Sequence, residues 1–235
     1  MHLFYVPDLS GDSVYLSEEE SKHAVRVLRL KNSDIVELVD GKGTRAYGRI
    51  ANDHPKRCGI SITEKKTELH SRNYSIHLAI APTKNAERIE WMLEKCTETG
   101  LDEITFLDCE NSERSRINME RMEKVAVSAM KQSRQSRLPL IHPLTDFEKF
   151  ISQDFHGQKF IAHCSGNERK NFAAAVGKGK NVLVLIGPEG DFSPEEIRLA
   201  DSNGFGDVSF GDNRLRTETA GLFAVAGIHI VNAAP

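Results

Sequence analysis

The chain has 235 residues, of which 39% are hydrophobic and 28% are charged, and its formal net charge is −3. This composition is typical of a globular protein with one large or two small domains. It excludes a uniformly basic nucleic-acid-binding protein, so any RNA contact must come from local patches. Four cysteines without a C-x-x-C pair, and nine histidines without a metal-ligand spacing, predict a reduced, metal-free protein. We find no membrane-length apolar run and no signal-peptide pattern, which predicts a cytoplasmic protein without a membrane partner.

Residues 1–70 have the pattern of a small β domain. Short β-branched and aromatic runs bounded by turn residues predict strands at Leu3–Val6, Ile35–Val39, Thr44–Ala51 and Cys58–Thr63. Ser17 and Glu20 have the spacing of a capping box, which predicts the start of one helix after the first strand. We therefore expect a small β-barrel with one helix.

Residues 71–235 have a different pattern, in which strands and helices alternate. Residues 64–73 are polar and lack an apolar period, which indicates a linker before this region. The predicted strands are Ser75–Ala81, Glu103–Leu107, Lys159–His163, Val182–Ile186 and Asp207–Phe210. Helices are predicted after the capping residues Asn85, Asn118, Ser193 and Thr217, and the last one, Gly221–Val231, is apolar on nearly every side. This alternation predicts an α/β fold, with a mostly parallel sheet and helices on both faces.

The strand Val182–Ile186 leads into the first of two glycine loops. Its five consecutive apolar residues predict a strand that is buried on both faces. The segment Gly187–Gly190 (Gly-Pro-Glu-Gly) ends the strand, because proline donates no ladder hydrogen bond. Its two glycines allow positive φ and the close approach of a ligand. Open parallel sheets bind ligands at such positions, beyond the carboxyl ends of their strands.

A second loop of the same kind follows the strand Asp207–Phe210. Gly211, Asp212 and Asn213 end that strand before the next helix. Two glycine loops at adjacent strand ends can form the walls of one pocket, although each loop alone is also explained by an ordinary turn. Neither loop has the Lys-Ser/Thr of a P-loop or a G-x-G-x-x-G pattern, so the sequence does not predict a triphosphate or dinucleotide site.

Two motifs at this point resemble the RsmE family of ribosomal RNA methyltransferases. They are Leu185–Glu196 (Leu-Ile-Gly-Pro-Glu-Gly-Asp-Phe-Ser-Pro-Glu-Glu) and, after Gly211, Leu215–Ala220 (Leu-Arg-Thr-Glu-Thr-Ala). The family belongs to the SPOUT class, whose members bind S-adenosylmethionine in a C-terminal trefoil knot. The resemblance implies this knot, a PUA-like RNA-binding domain over residues 1–70 and a methyltransferase domain over residues 71–235. It also implies methylation of N3 of one uridine in 16S rRNA, within the small ribosomal subunit, by a homodimer that completes its pocket across two subunits.

The resemblance also implies a set of donor-binding residues. Backbone groups of Gly187, Gly190 and Gly211 would contact the adenine, between the side chains of Ile186 and Leu215. The end of the strand at Ala162, His163 and Cys164 would form a third wall, although His163 is also explained as an ordinary strand-end residue. The complete predicted set is Ala162, His163, Ile186, Gly187, Pro188, Glu189, Gly190, Gly211, Leu215, Arg216 and Thr217.

Arg214, Arg216 and Glu218 are the predicted catalytic residues. N3 of uracil carries a weakly acidic proton, so its alkylation requires stabilisation of the developing anion. Arginines directed at the carbonyl oxygens would supply that stabilisation, and a carboxylate could accept the proton. Glu218 is equally explained by its charge interaction with the dipole of a helix first turn. Likewise, Glu189 is explained by hydrogen bonds to backbone amides of its own loop.

Two basic regions are predicted to contact RNA. The spacing of His23, Arg26 and Arg29 places them loosely on one helix face, and the segment from Arg114 to Arg137 contains seven basic and two acidic residues. The predicted RNA-binding set is His23, Arg26, Arg29, Arg114, Lys131, Arg134 and Arg137. A solvated helix face is the alternative for both regions. The single tryptophan, Trp91, is either a base-stacking residue or part of the core or an interface.

The sequence leaves two alternatives to uridine methylation. One is a methyltransferase with another RNA acceptor, such as a ribose 2′-hydroxyl or a different base. The other is a non-catalytic RNA-binding assembly factor that has lost the methyl donor. The intact glycines and the segment Arg216–Thr219 argue against the second alternative.

Overall fold

The computed structural model describes residues 1–67, 72–114, 116–166 and 169–233. The chain divides into two compact units, Met1–Ser71 with Val127–Leu138, and Arg72–Ala126 with Pro139–Pro235. Across the described ranges, no helix is long and apolar enough to cross a membrane. The same ranges contain no group of three or more His, Cys, Asp or Glu side chains that could hold a metal ion.

The first unit is a five-stranded sheet with one short helix. Its strands are β1 (His2–Tyr5), β2 (Ser13–Tyr15), β3 (Ile35–Val39), β4 (Thr44–Asn52) and β5 (Gly59–Thr67), in the order β1-β3-β4-β5-β2. Helix α1 (Glu18–Lys22) continues into a π-helical turn, His23–Val27. The core of this unit includes Phe4, Leu38 and Ile60, which are almost completely buried.

Two predicted features of this unit are wrong in detail. Strand β5 continues to Thr67 and pairs with β4, so residues 64–67 are not a linker. Their side chains are exposed, so the apolar alternation that normally predicts a strand is missing there. Residues 68–71 of the predicted linker lie outside the described residues. At α1, Ser17 accepts a hydrogen bond from the amide of Glu20 as predicted, but the Glu20 carboxylate contacts Lys131 Nζ at 2.5 Å.

The second unit is a seven-stranded sheet with helices on both faces. Its strands are β6 (Ile76–Ile80), β7 (Glu103–Asp108), β8 (Leu140–Asp146), β9 (Gln158–Ala162), β10 (Lys170–Asn171), β11 (Val182–Ile186) and β12 (Gly206–Ser209). Their order is β10-β12-β9-β11-β6-β7-β8, and each of these pairings is parallel. The helices are α2 (Ala86–Thr99), α3 (Met119–Gln132), α4 (Phe147–Ile151), α5 (Phe172–Ala175), α6 (Pro194–Ser202) and α7 (Thr217–Ala233). Helix α3 begins in this unit, and its residues from Val127 onward belong to the first unit.

The central strand β11 is buried on both faces, as predicted. Val182, Val184 and Ile186 pack in one core cluster, with residues of α2 and α7. Leu183 and Leu185 pack in the other, with residues of α4 and α6. Successive side chains of a strand point to opposite faces, so this division places a helical layer on each side of the sheet.

The sequence did not predict strands β8 and β10, and it placed the start of α7 too late. Strand β8 lies at the sheet edge, is only partly buried and contains Pro143, which is tolerated there because an edge strand has unpaired positions. Thr217 is the first residue of α7 and not its cap. Helix α7 packs against α2, β6 and β11. At Gly221 a Cβ atom would lie only 2.9 Å from Ile80 Cδ1, so glycine permits this close packing.

Candidate active site

A cavity of about 450 Å³ lies at the carboxyl ends of β9, β11 and β12. It brings together ten of the eleven residues predicted to bind the donor: Ala162, His163, Ile186, Gly187, Pro188, Glu189, Gly211, Leu215, Arg216 and Thr217. The eleventh, Gly190, does not line the cavity, and its Cα lies against Asn111, which a Cβ atom would approach to 3.2 Å. The volume lies within the range of about 300–1,000 Å³ that is usual for small-molecule sites.

The first glycine loop is fixed by contacts with other elements of the second unit. The Thr217 hydroxyl donates a hydrogen bond to the carbonyl oxygen of Gly187 over 3.1 Å. The carboxylate of Glu189 accepts a hydrogen bond from the amide of Lys84 over 3.0 Å. Glu189 therefore stabilises the loop after β6, whereas the sequence suggested hydrogen bonds within its own loop. A Cβ atom on Gly187 would lie 3.0 Å from the ring of buried Phe192, so this glycine is required by packing.

Asp191 is a cavity residue that the sequence analysis missed. Its φ of +66° is left-handed, which aspartate tolerates better than most residues. One carboxylate oxygen accepts from the amide of Cys164 over 2.7 Å, and the other accepts from the amide of Phe192 over 2.9 Å. These bonds join the end of β9 to the loop after β11. Asp191 directly follows Pro-Glu-Gly, a pattern that predicts a turn but does not predict the contact with Cys164.

The second glycine loop depends on glycine for its backbone conformation. Gly211 has φ of +117°, a value that side-chain-bearing residues rarely adopt, and a Cβ atom there would meet nothing within 4 Å. Gly211 is also one of the residues that line the cavity. The backbone of this loop can therefore approach a ligand closely.

His163 follows β9 and forms part of the cavity wall, where it is 7% exposed. Its Nε2 lies 3.2 Å from Asp207 Oδ1, but neither ring nitrogen makes a hydrogen bond of good geometry with the described residues. Its backbone carbonyl oxygen accepts from the guanidinium of Arg169, another cavity residue that the sequence did not indicate. Buried polar atoms without partners carry a desolvation cost, which the contact with Asp207 offsets only in part.

The three predicted catalytic residues lie together at the start of α7. Arg214 and Arg216 are exposed and line both the cavity and a second, more open groove beside it. Glu218 lines only the groove and is 6% exposed. Its Oε1 lies 3.8 Å from Arg88 Nε, and its Oε2 has no hydrogen-bond partner among the described residues. The arrangement therefore places two guanidinium groups and one buried carboxylate at the boundary of two spaces.

Comparison with known proteins supplies the family. Residues 70–229 match the model of an RNA methyltransferase domain, and residues 16–62 match that of an RNA methyltransferase PUA domain. The chain belongs to this family of RNA methyltransferases.

Solved structures and curated relatives agree with this membership. The "probable rRNA-methyltransferase" of Porphyromonas gingivalis is 41% identical, with a TM-score of 0.93 and 99% of each chain covered. A methyltransferase of Legionella pneumophila, solved with bound SAM, is 28% identical, with a TM-score of 0.86 and coverage of 97% of this chain and 96% of its own. The ribosomal RNA small subunit methyltransferase E of Buchnera aphidicola is 28% identical over 235 residues, or 96% of this chain and 91% of the relative.

The cavity fits the methyl donor that the family uses. Ala162, Ile186, Val208 and Leu215 supply apolar walls suited to an adenine ring. The backbone of the two glycine loops supplies polar groups at the cavity edge. Arg169, Arg214 and Arg216 supply positive charge that a carboxylate can bind. The lining groups and the volume of the cavity are therefore consistent with a small molecule that is apolar in one part and zwitterionic in another.

Arg114, one of the residues predicted to bind RNA, forms hydrogen bonds to backbone carbonyl oxygens. Its Nε donates to the carbonyl oxygen of Thr83 over 3.0 Å, and one terminal nitrogen donates to that of Lys84 over 2.6 Å. The side chain thus supports the loop after β6. An RNA contact by Arg114 stays a prediction, but the structure gives the residue a second, local role.

The other predicted RNA-binding residues lie in the first unit. Lys131 contacts Glu20, Arg134 contacts Glu37 Oε2 at 2.7 Å, and Arg137 donates to the carbonyl oxygen of Lys42 over 2.8 Å. The α-helix expected to carry His23, Arg26 and Arg29 is wrong, because residues 23–27 form a π-helical turn and Arg29 has a left-handed φ of +57°. The α-helical spacing on which their common face depended does not apply to a wider turn. All three residues are exposed, and their contact with RNA stays a prediction.

Proposed function

We propose that this protein transfers a methyl group from S-adenosylmethionine to N3 of one uridine in 16S rRNA, as a cytoplasmic enzyme acting on the small ribosomal subunit. The observation that carries the proposal is the cavity between two glycine loops, with two arginines in its wall and a buried carboxylate in the adjoining groove. Relatives named ribosomal RNA small subunit methyltransferase E support the choice of 16S rRNA. The choice of N3 rests on the family resemblance.

The residues of the cavity divide into donor-binding and reaction-promoting groups. Ile186 and Leu215 enclose the adenine, and the backbone of Gly187 and Gly211 contacts its edges. When bound, S-adenosylmethionine supplies a methyl group on a positively charged sulfur. Arg214 or Arg216 stabilises the negative charge that develops on the uracil oxygens, and Glu218 is the candidate acceptor of the N3 proton.

The organisation of the chain follows from the same proposal. Residues 1–70 would act as the RNA-binding domain and residues 71–235 as the methyltransferase domain, with the C-terminal trefoil knot of the SPOUT class. A division at residue 70 leaves out Val127–Leu138, which lies later in the sequence but belongs to the first unit. The basic side chains of that segment, above all exposed Arg134, are proposed to contact RNA phosphates.

We also propose that the active form is a homodimer. Phe223 and Ile230 of α7 are 51% and 70% exposed, although this helix is the most apolar in the sequence. Their spacing of seven residues places them on one face of the helix. An exposed apolar face of this kind favours a second copy of the chain. Sedimentation at micromolar concentration tests the dimer, and a monomer would contradict it.

Nucleoside mass spectrometry tests the reaction. Small ribosomal subunits from cells that lack this modification are incubated with the protein and isotopically labelled donor, and the rRNA is digested to nucleosides. We expect label in 3-methyluridine only. Label in a 2′-O-methyl nucleoside or in another base would support a methyltransferase with a different acceptor. Absence of label together with normal RNA binding would support a non-catalytic assembly factor.

A further inference from the structure

We propose that the groove beside the cavity binds the target uracil itself, with Trp91 stacking on the base and Glu218 accepting its N3 proton. This inference rests on the proposed function and adds the position of the acceptor. The groove is lined by residues of α2 and by the segment Arg214–Thr219. It shares Arg214, Leu215 and Arg216 with the donor cavity, so the two spaces adjoin at these three residues.

Trp91 is the first observation that points to a base. It is 42% exposed on α2, whereas Met92 and Leu93 beside it are completely buried. Trp91 is therefore not a buried core residue, and a base or a second subunit can reach its ring. An exposed aromatic ring in a groove that is also lined by three arginines is a typical platform for an unstacked base.

Glu218 is the second, independent observation. A carboxylate that is 6% exposed and whose Oε2 has no hydrogen-bond partner among the described residues is costly to maintain. Arg88 compensates only part of that cost, since its Nε is 3.8 Å from Oε1, beyond hydrogen-bond distance. The imide N–H of uracil is a donor of the kind this carboxylate lacks. Arg214 and Arg216, which belong to the same segment and also line the groove, are donors for the two carbonyl oxygens that flank N3.

The groups of the groove satisfy the proton and charge balance of the reaction. The N3 proton moves to the Glu218 carboxylate, and the electron pair left on N3 forms the new bond to the methyl carbon. The carbon–sulfur bond breaks with its electron pair left on sulfur, which loses its positive charge. Arg88 is then a positioning residue, because it contacts Glu218 and orients the carboxylate without touching the reacting atoms.

Fluorescence provides a readout that does not depend on turnover. Trp91 is the single tryptophan of the chain, so the intrinsic emission reports on the groove alone. We expect a short oligouridylate to quench this emission, and an abasic oligomer of the same length, with the same phosphates and no bases, to leave it largely unchanged. Equal quenching by both oligomers, or by neither, would overturn the proposed stacking.

Substitutions then separate stacking from proton transfer. Trp91→Ala is expected to raise KM for RNA by about 10-fold, within the effect of losing one stacked base, and Trp91→Phe is expected to restore most of it. Glu218→Gln should leave oligouridylate quenching and donor affinity unchanged while it lowers turnover at least about 100-fold. Leu140→Ala is the matched control, because Leu140 is 59% exposed and lines neither space. Wild-type kinetics of both Trp91→Ala and Glu218→Gln would overturn the inference.

The same measurements distinguish this inference from the proposed function. If the wild-type protein methylates uridine but the groove variants behave normally, the acceptor lies elsewhere and only the inference fails. If the protein methylates no uridine but base-dependent quenching persists, the reaction assignment fails and the groove stands as a base-binding site. Emission that changes with protein concentration and not with RNA would assign Trp91 to a subunit interface, which would overturn the inference.

Discussion

The hydroxyl of Thr217 donates a hydrogen bond to the carbonyl oxygen of Gly187 over 3.1 Å, and both residues are in the donor cavity wall. The bond joins the first turn of α7 to the first glycine loop, 30 residues earlier in the sequence. It holds the start of α7 against the first glycine loop.

Replacing Thr217 with valine removes this bond at nearly constant volume. We expect a loss of about 1–2 kcal/mol in the free energy of unfolding, because the Gly187 carbonyl loses a partner in a buried position. Donor affinity, measured by calorimetry, should fall as the two loops separate. Thr99→Val is the control, since Thr99 is exposed near the end of α2 and bonds only to backbone of its own helix. Equal donor affinity of the two variants would show that the Thr217 bond has no role in the cavity.

Gly211→Ala tests the second loop through its backbone alone. The Cβ atom would meet nothing within 4 Å, so the substitution adds strain at φ of +117° without a clash. We expect weaker donor binding with an unchanged circular dichroism spectrum. Gly204→Ala is a matched control, because Gly204 also has a positive φ of +80°, with its nearest contacts at 3.8 Å, and does not line the cavity. Gly187→Ala is less specific, since its Cβ would displace the buried ring of Phe192.

Strand burial and capping made much of the methyltransferase unit predictable from sequence. The apolar run of β11 and the caps at Asn85, Asn118 and Ser193 are local signals, and each one is present in the structure. Strand β8 escaped prediction because an exposed edge strand with a proline has no apolar pattern to detect. The continuation of β5 to Thr67 escaped because backbone pairing with β4, and not burial, makes it a strand.

The candidate site was predictable only in part, for a related reason. The two motifs that resemble the RsmE family each span a few residues, and that resemblance, together with the glycine loops and buried strands, allowed ten cavity residues to be named. The contact of Asp191 with Cys164 joins residues 27 positions apart, and the partners of Glu189 and Arg114 are still farther away in the sequence. No local pattern records such distances. Likewise, sequence alone does not show that Glu218 Oε2 lacks a hydrogen-bond partner among the described residues, because this depends on the position of Arg88 in α2.

The carboxylate of Glu37 binds two arginines whose expected roles differ. Arg45 is 11% exposed and lies 2.6 Å from Glu37 Oε1, whereas Arg134 is 60% exposed and lies 2.7 Å from Oε2. Arg45→Ala should lower the free energy of unfolding by about 3 kcal/mol, because the buried carboxylate of Glu37 loses its main partner. Arg134→Ala should cost at most about 1 kcal/mol. Thermal or denaturant unfolding measures both values.

For RNA affinity we expect Arg134→Ala to have the larger effect and Arg45→Ala the smaller one, the reverse of their effects on stability. Arg134→Ala is expected to weaken RNA binding and to reduce the slope of log K against log salt by at most about one unit, as expected for one lost phosphate contact. Arg45→Ala should leave that slope unchanged. Lys131→Ala and Arg137→Ala extend the test to the rest of the segment. A triple variant with normal RNA binding at every salt concentration would show that the segment only packs against the first unit.

We expect the free energy of unfolding to depend on pH through the buried side chain of His77. Its ring is largely buried, with Nε2 2.8 Å from Thr105 Oγ1, and burial, followed by the nearby charge of His142, lowers its pKa from 6.5 to about 4. Glu103, partly exposed at 3.5 Å from Nδ1, is the acidic group that faces the ring. The unfolded chain therefore binds a proton between pH 6.5 and about 4 that the folded chain does not bind. Stability is fully present above pH 6.5 and falls as the pH decreases, by up to about 3 kcal/mol for this group.

Chemical unfolding at several pH values tests this contribution. His77→Gln keeps a partner for Thr105 but does not titrate, so we expect its stability to fall less than that of the wild type between pH 6.5 and 4. His156→Gln is the control, because His156 is exposed. Parallel curves for the wild type and His77→Gln would contradict the assignment.

Arg216 is exposed and lines both the cavity and the groove, as the proposed function requires of a catalytic arginine. Its positive charge can stabilise the anion that develops on uracil, or it can bind the carboxylate of the donor. For the first role we expect Arg216→Ala to lower turnover by about 10²-fold, the effect of removing one transition-state donor, with a much smaller change in donor affinity. Single-turnover kinetics and calorimetry measure the two quantities separately.

The lysine variant identifies how Arg216 acts. Arg216→Lys keeps the charge but loses the planar fork of the guanidinium, so a bidentate contact would be lost while a simple field effect would largely survive. Arg198 supplies the control, because it is an exposed arginine on α6 that pairs with Glu195 and lies outside the cavity lining. A large loss of donor binding with normal turnover at saturation would assign Arg216 to the donor carboxylate. If both Arg216 variants behave like Arg198→Ala, its guanidinium has neither role, and Arg214 becomes the remaining arginine shared by the two spaces.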